Sequence, residues 1–254
     1  MSRLTASTVR PFALLGAALL MAGCVAAPDR EATRPEIADR GTTLEGGESP
    51  SRPGAPLMPS AFFPGEAKTL TAWRCTPAQD LVTAAPDGEL RLWSAHGAYR
   101  LRPAVVATGA RYQKDDLSFW KKGDEAVVES ATGRLDCTLD LTRDVLTREE
   151  RPGIMFHARG NEPGWVVKLS SDRPEVTMLL DYGARELTLP YRVTTLDNGE
   201  ARMILASGRA DTPFELRLEA RACFDGMSGR PFPARVTLTI DGEQLRGCGQ
   251  GIAP

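Results

Sequence analysis

The chain has little histidine and no excess of positive charge, and each shortage excludes something. Only His96 and His157 occur among 254 residues, so a multi-histidine metal site or a histidine-rich pH switch is excluded. Lysine and arginine total 31 against 33 acidic residues, a formal net charge of -2. No basic field exists to collect nucleic acid. No Cys-x-x-Cys pair or cysteine with a nearby histidine occurs, which argues against zinc. No long stretch has helical periodicity, and no apolar run beyond the N-terminal segment approaches membrane-spanning length. What is present is ordinary: 42% hydrophobic and 25% charged residues, enough to pack cores and to rule out wholesale disorder. The length predicts one large or two ordinary domains.

Five cysteines is an odd number, and the N-terminus accounts for the odd one. Arg3 and Arg10 precede a short apolar run ending at Leu20, too short for a stable anchor but right for a signal peptide over residues 1–23. The run leads into Met21-Ala22-Gly23-Cys24. Small residues before a lone cysteine resemble the lipobox of bacterial lipoproteins, and the resemblance implies lipid on Cys24 as the membrane attachment. An ordinary secretory signal with an incidental cysteine is the alternative. Val25 rather than aspartate follows, which by the sorting rules of such lipoproteins implies the outer membrane, with the head in the periplasm or at the surface. Residues 25–65 hold seven prolines and five glycines and lack an apolar period. Together with Cys24 they read as a lipidated, flexible tether, 24–65.

The remainder reads as β structure. Phe214 to Cys223 alternates apolar and charged residues and predicts one half-buried strand. Val236–Ile240, Asp241-Gly242 and Glu243-Gln244-Leu245 predict a hairpin on a type I′ turn, because both central residues need φ > 0. Asp197-Asn198-Gly199 marks a turn between Tyr191–Leu196 and Ala201–Ala206. Leu90–Trp93, Tyr99–Arg102 and Ala126–Glu129 are short runs with turn signals at Pro86-Asp87-Gly88 and Ala95-His96-Gly97. Many short strands at regular spacing predict an all-β chain of small barrels or sandwiches. The charged stretch 141–153, ending in Pro152-Gly153, reads as a boundary. Cys75 and Cys137 lie before it, Cys223 and Cys248 after it. In an oxidising compartment, pairing within each block is the economical reading, with free or crossed pairing as the alternative. The two blocks do not look like repeats: their turn motifs and cysteine spacings differ.

One constellation is informative. Trp73-Arg74-Cys75 is followed by Ala107-Thr108-Gly109-Ala110-Arg111-Tyr112, by Phe119-Trp120-Lys121-Lys122-Gly123-Asp124-Glu125-Ala126, and by Cys137. This pattern resembles the membrane-bound inhibitors of c-type lysozyme, envelope lipoproteins of Gram-negative bacteria. The resemblance implies a small antiparallel β-barrel with a disulfide over 66–143, c-type lysozyme as partner, and an inhibitor rather than an enzyme. No cofactor, metal or catalytic residue is expected. The family's loop serine and following lysine engage the catalytic carboxylates of lysozyme. The matching positions are Thr108 and Lys122, with Arg111 and Tyr112 supporting the loop or touching the cleft rim. Threonine replaces the family serine, keeping the hydroxyl and adding a methyl group. Read without the family, Lys122 is a solvated strand-end lysine, Thr108 a turn residue, Tyr112 a buried tyrosine, and Phe119 and Trp120 packing.

The second block, 153–254, carries Gly160-Asn161-Glu162-Pro163-Gly164-Trp165 and Cys223-Phe224-Asp225-Gly226-Met227-Ser228. It looks like an envelope domain of unassigned function found in bacterial lipoproteins, which implies a compact β fold and no activity. His157, Glu162, Asp225 and Ser228 have the right chemistry for acid–base or nucleophilic work, but Ser228 lacks a Gly-x-Ser-x-Gly elbow. The bland reading is turn chemistry, with Trp165 filling the core. A peptidoglycan-binding or enzymatic role for this block is the competing function class, and it requires His157, Glu162 and Ser228 to converge in one pocket.

Overall fold

A computed structural model describes residues 54–252. The signal segment, Cys24 and residues 25–53 of the tether lie outside the described residues. The architecture is all β, in two closed eight-stranded antiparallel barrels. The first is a plain meander: β1 (Thr69–Thr76), β2 (Leu81–Ala84), β3 (Leu90–Trp93), β4 (Ala98–Ala104), β5 (Ala110–Lys114), β6 (Leu117–Lys122), β7 (Glu125–Ser130) and β8 (Gly133–Asp144). The second runs β9 (Ile154–Asn161), β10 (Gly164–Ser170), β11 (Glu175–Leu180), β12 (Arg185–Asp197), β13 (Arg202–Ser207) and β14 (Phe214–Glu219). An arm of β15 (Cys223–Phe224) and β16 (Pro231–Phe232) interrupts it before β17 (Ala234–Ile240) and β18 (Glu243–Gly251). In each barrel the first strand pairs with the last. Blocks unlike in sequence thus share strand number and order.

Period-two alternation builds the walls. β13 and β17 turn every second residue inward, Met203 and Leu205 on one and Val236, Leu238 and Ile240 on the other. The Asp241-Gly242 turn has φ of 54° and 81°, as a type I′ hairpin requires. One expected strand is shorter than its alternation. Phe214 to Cys223 reads as continuous, but β14 stops at Glu219. The Ala220 amide donates to Ala201, and the Ala222 amide donates to Ser94 of the first barrel. The chain leaves the wall there to make the arm, so nonlocal hydrogen bonds override the local pattern. Likewise Leu141–Asp144, read as part of the charged boundary, is the last third of β8.

A register shift between Ala72 and Trp73 turns β1 over. Before it Leu70 faces the second barrel's core; after it Trp73 and Cys75 face the first barrel's own core. β2 is buried at all four residues. Leu81 points into the first core, while Val82 and Ala84, with Trp93, join the core shared with the second barrel. Ordered packing also begins before residue 66. A 3-10 turn over Ser60–Phe62 puts Phe62 fully out of solvent, edge-on to Phe156 at 5.9 Å. Trp93 Nε1 donates to the Ala61 carbonyl at 2.8 Å, and Arg91 Nη1 donates to the Phe63 carbonyl at 2.6 Å.

Candidate functional site

Three elements bring the candidate residues of the first barrel together. The loop from Val105 to Gly109 joins β4 to β5 and crosses the end of β6. Gly109 has φ of 75°, and a Cβ there would lie 2.3 Å from the Lys121 carbonyl oxygen and 3.1 Å from Lys122 Cγ. A side chain at 109 would therefore push the loop off the strand. Trp120 Nε1 donates to the Thr108 carbonyl at 3.0 Å, fixing the loop from below. Lys122 Nζ stands 3.6 Å from the Trp120 ring centroid, a cation–π contact that restrains the long side chain. Thr108 and Lys122 are both exposed, and Val105 at the loop is fully exposed. Pro103 to Ala110 carries no charge. The result is an uncharged, protruding loop with a hydroxyl and an ammonium at its base.

Strand alternation divides the other candidates. Arg111 is directly opposite Trp120 and so shares the face of Trp120 and Lys122. Its Nη2 donates to Ser118 Oγ at 3.3 Å and lies 4.0 Å from Glu129. Tyr112 is opposite Phe119, packs against the first core and lines the barrel mouth, a cavity of about 470 Å³. Lys121 lines the same mouth, its ammonium 5.5 Å from the Trp73 ring. Thr108, Arg111, Trp120 and Lys122 therefore form one outer face, and Tyr112 belongs with Lys121 on the other side of the wall. Read from sequence alone Trp120 is packing, but its alternation with Lys122 is the local signal that both lie on this outer face. The disulfide Cys75–Cys137 joins directly opposed residues of β1 and β8 inside the barrel.

Residues 73–135 match the family model for the membrane-bound lysozyme-inhibitor of c-type lysozyme. The match runs from β1 into β8, within the first barrel, and covers about a quarter of the chain. The inhibitor-family segment thus includes Thr108, Arg111, Tyr112 and Lys122. No curated protein matches the chain.

The second barrel lies outside the inhibitor-family match. Its Gly160-to-Trp165 motif is the β9–β10 hairpin. Trp165 is buried opposite Gly160, where a Cβ would fall 2.2 Å from the indole nitrogen. Asp225 organises the arm's turn. Its Oδ1 accepts from the Met227 amide, the Ser228 amide and Ser228 Oγ, at 3.2, 2.8 and 2.7 Å. Its Oδ2 accepts from Arg159 and from Asn161. Burial alone would raise this carboxyl's pKa, but the bonds from Ser228, Asn161 and Arg159 outweigh it and hold the pKa far below the usual range. Cys223–Cys248 ties the arm to β18. His157 lines one cavity and Glu162 another, while the Ser228 hydroxyl is engaged by Asp225. Neither of these two cavities is lined by all three residues.

Proposed function

We propose that the first barrel inhibits c-type lysozyme by presenting Thr108 and Lys122 to the enzyme's catalytic cleft. The observation that carries this reading is the clamp of Trp120 and Lys122 beneath the uncharged loop that carries Thr108, within the segment that matches the inhibitor family. Glycoside hydrolysis by lysozyme depends on two carboxyl groups flanking the scissile bond. An ammonium and a hydroxyl placed between them satisfy both and exclude the sugar. Trp120 limits the freedom of Lys122 before binding, so less rotamer entropy is lost in the complex. Arg111, on the same face, meets the cleft rim. Lipid on Cys24 and the proline-rich tether hold this head at the outer membrane, facing periplasm or surface.

The test is inhibition of a c-type lysozyme by the full chain, read from clearing of a cell-wall suspension. Lys122→Ala is expected to weaken inhibition roughly ten- to a hundredfold, the value of one charge-assisted bond of about 1.5–3 kcal/mol. Lys121→Ala, on the opposite side of the strand, is expected to keep it, and Thr108→Ser to hold or improve it. Equal losses in the two lysine variants would mean that net charge alone matters, and the assignment would fall.

A further inference from the structure

A group of cations collects where the barrels meet, sharing no residue with the Thr108–Lys122 face. Arg143 of β8, Arg151 of the connecting segment, Arg159 of β9 and Arg230 before β16 line a cavity of about 460 Å³ with His157. Asp144 is the one carboxylate in that lining. Of the four arginines only Arg159 is ion-paired among the described residues, to Asp225 at 3.0 Å. Four guanidinium groups thus face two carboxylates. Arg151 and Arg230 are exposed, Arg159 is half-buried, and Arg143 is held in place. Arg143 donates from Nε to the Pro231 carbonyl at 2.6 Å and from Nη2 to Gln250 Oε1 at 2.8 Å, and it stacks on Phe232 at 4.0 Å. These acceptors are neutral, so the contacts position the charge without cancelling it. Burial, with Arg230 and Arg159 nearby, pulls the Arg143 pKa down to about 10. His157 is only 8% exposed, and its Nδ1 is buried without a hydrogen-bond partner among the described residues.

We propose that this cavity binds an oxyanion, a carboxylate or phosphate group of a small ligand, through Arg151, Arg159 and Arg230, with His157 donating a further ring N–H. Guanidinium forks match the oxygen geometry of both groups, and the bond from the buried His157 ring is strengthened by its low-dielectric surroundings. The volume is within the range of small-molecule sites, about 300–1,000 Å³. A bound anion supplies the missing negative charge and gives the orphaned histidine a partner.

The full chain is titrated at low ionic strength with inorganic phosphate, with citrate, and with sucrose as a neutral control. Calorimetry and the NMR resonances of the His157 ring are the readouts. Saturable binding of phosphate or citrate, with movement of the His157 resonances and none with sucrose, is expected. Binding of phosphate alone marks a phosphate ligand, and binding of citrate alone a carboxylate ligand. Arg151→Gln/Arg230→Gln is expected to weaken binding by roughly tenfold or more, while Arg151→Lys/Arg230→Lys recovers part of it. Absence of saturable binding by both anions overturns the proposal, as does unchanged binding in a folded glutamine variant. If that variant does not fold, the wild-type histidine resonances decide: saturable binding that leaves them unmoved also overturns it.

Discussion

The two barrels share strand number and order but use their disulfides differently. In the first, Cys75–Cys137 crosses the closing seam itself, between paired residues of β1 and β8. In the second, closure of β9 on β18 is left to hydrogen bonds and an apolar interior, and Cys223–Cys248 pins the arm to the wall. The first core is the smaller one, ten buried residues that include both cysteines. A small core supplies little net stability, and a covalent staple across the seam compensates. The second barrel's core is continuous with the outer wall of β1–β3, through Leu70, Val82 and Trp93. It therefore gains apolar burial from its neighbour, and its disulfide is free to hold an excursion instead.

The sharpest way to break this comparison is to uncouple the barrels. Phe62→Ala removes a fully buried ring from the shared core and is expected to cost about 3–5 kcal/mol. The shared core predicts one urea transition for the wild type, and the variant should resolve two. A single transition at the wild-type midpoint would mean that Phe62 does not couple them.

Removing each disulfide tests the difference in role. Cys75 and Cys137 are separated by 62 residues, Cys223 and Cys248 by 25. The chain-entropy estimate gives losses of about 4 and about 3.5 kcal/mol for the paired alanine variants. The magnitudes are close; the location of the damage separates them. Amide exchange should rise along β1 and β8 in the first variant. In the second it should rise in the arm while β9 and β18 stay protected. Exposure of β9 and β18 in the second variant would show that its disulfide also serves closure.

A smaller effect comes from His157. Burial first, then Arg151, Lys168, Arg159 and Arg143, push its pKa from 6.5 down to about 4. Above pH 6.5 the ring is neutral in folded and unfolded chains alike and contributes nothing. As the pH falls below 6.5 the unfolded chain takes up a proton that the folded chain refuses, and stability declines until about pH 4. The total is at most on the order of 3 kcal/mol. In phosphate-free buffer, His157→Gln should flatten the pH dependence of the unfolding free energy across this window. An unchanged slope would place the ring in a more solvated site.

Much of each wall was readable in the chain because strands and turns are local. Alternation in Val236–Ile240 and the Asp241-Gly242 pair needed no other part of the molecule to be understood. The same is true of the Thr108-Gly109 and Trp120-Lys122 segments, whose residue types were legible although their contact was not. Gly109 explains that contact only once β5 and β6 are paired.

What the sequence by itself determined was the β class, the hairpin turns and the residue types of an uncharged, hydroxyl-bearing loop and a lysine-ended strand, since each rests on side-chain alternation and backbone preference over a few residues. The tertiary structure decided the closure of β1 on β8, the end of β14 at Glu219 and the burial of both faces of β2. It alone put Phe62 between the barrels and gathered Arg143, Arg151, Arg159 and Arg230 around one cavity. These outcomes depend on surfaces and hydrogen-bond partners far apart in the chain, and no local pattern of residues encodes which distant wall will cover them.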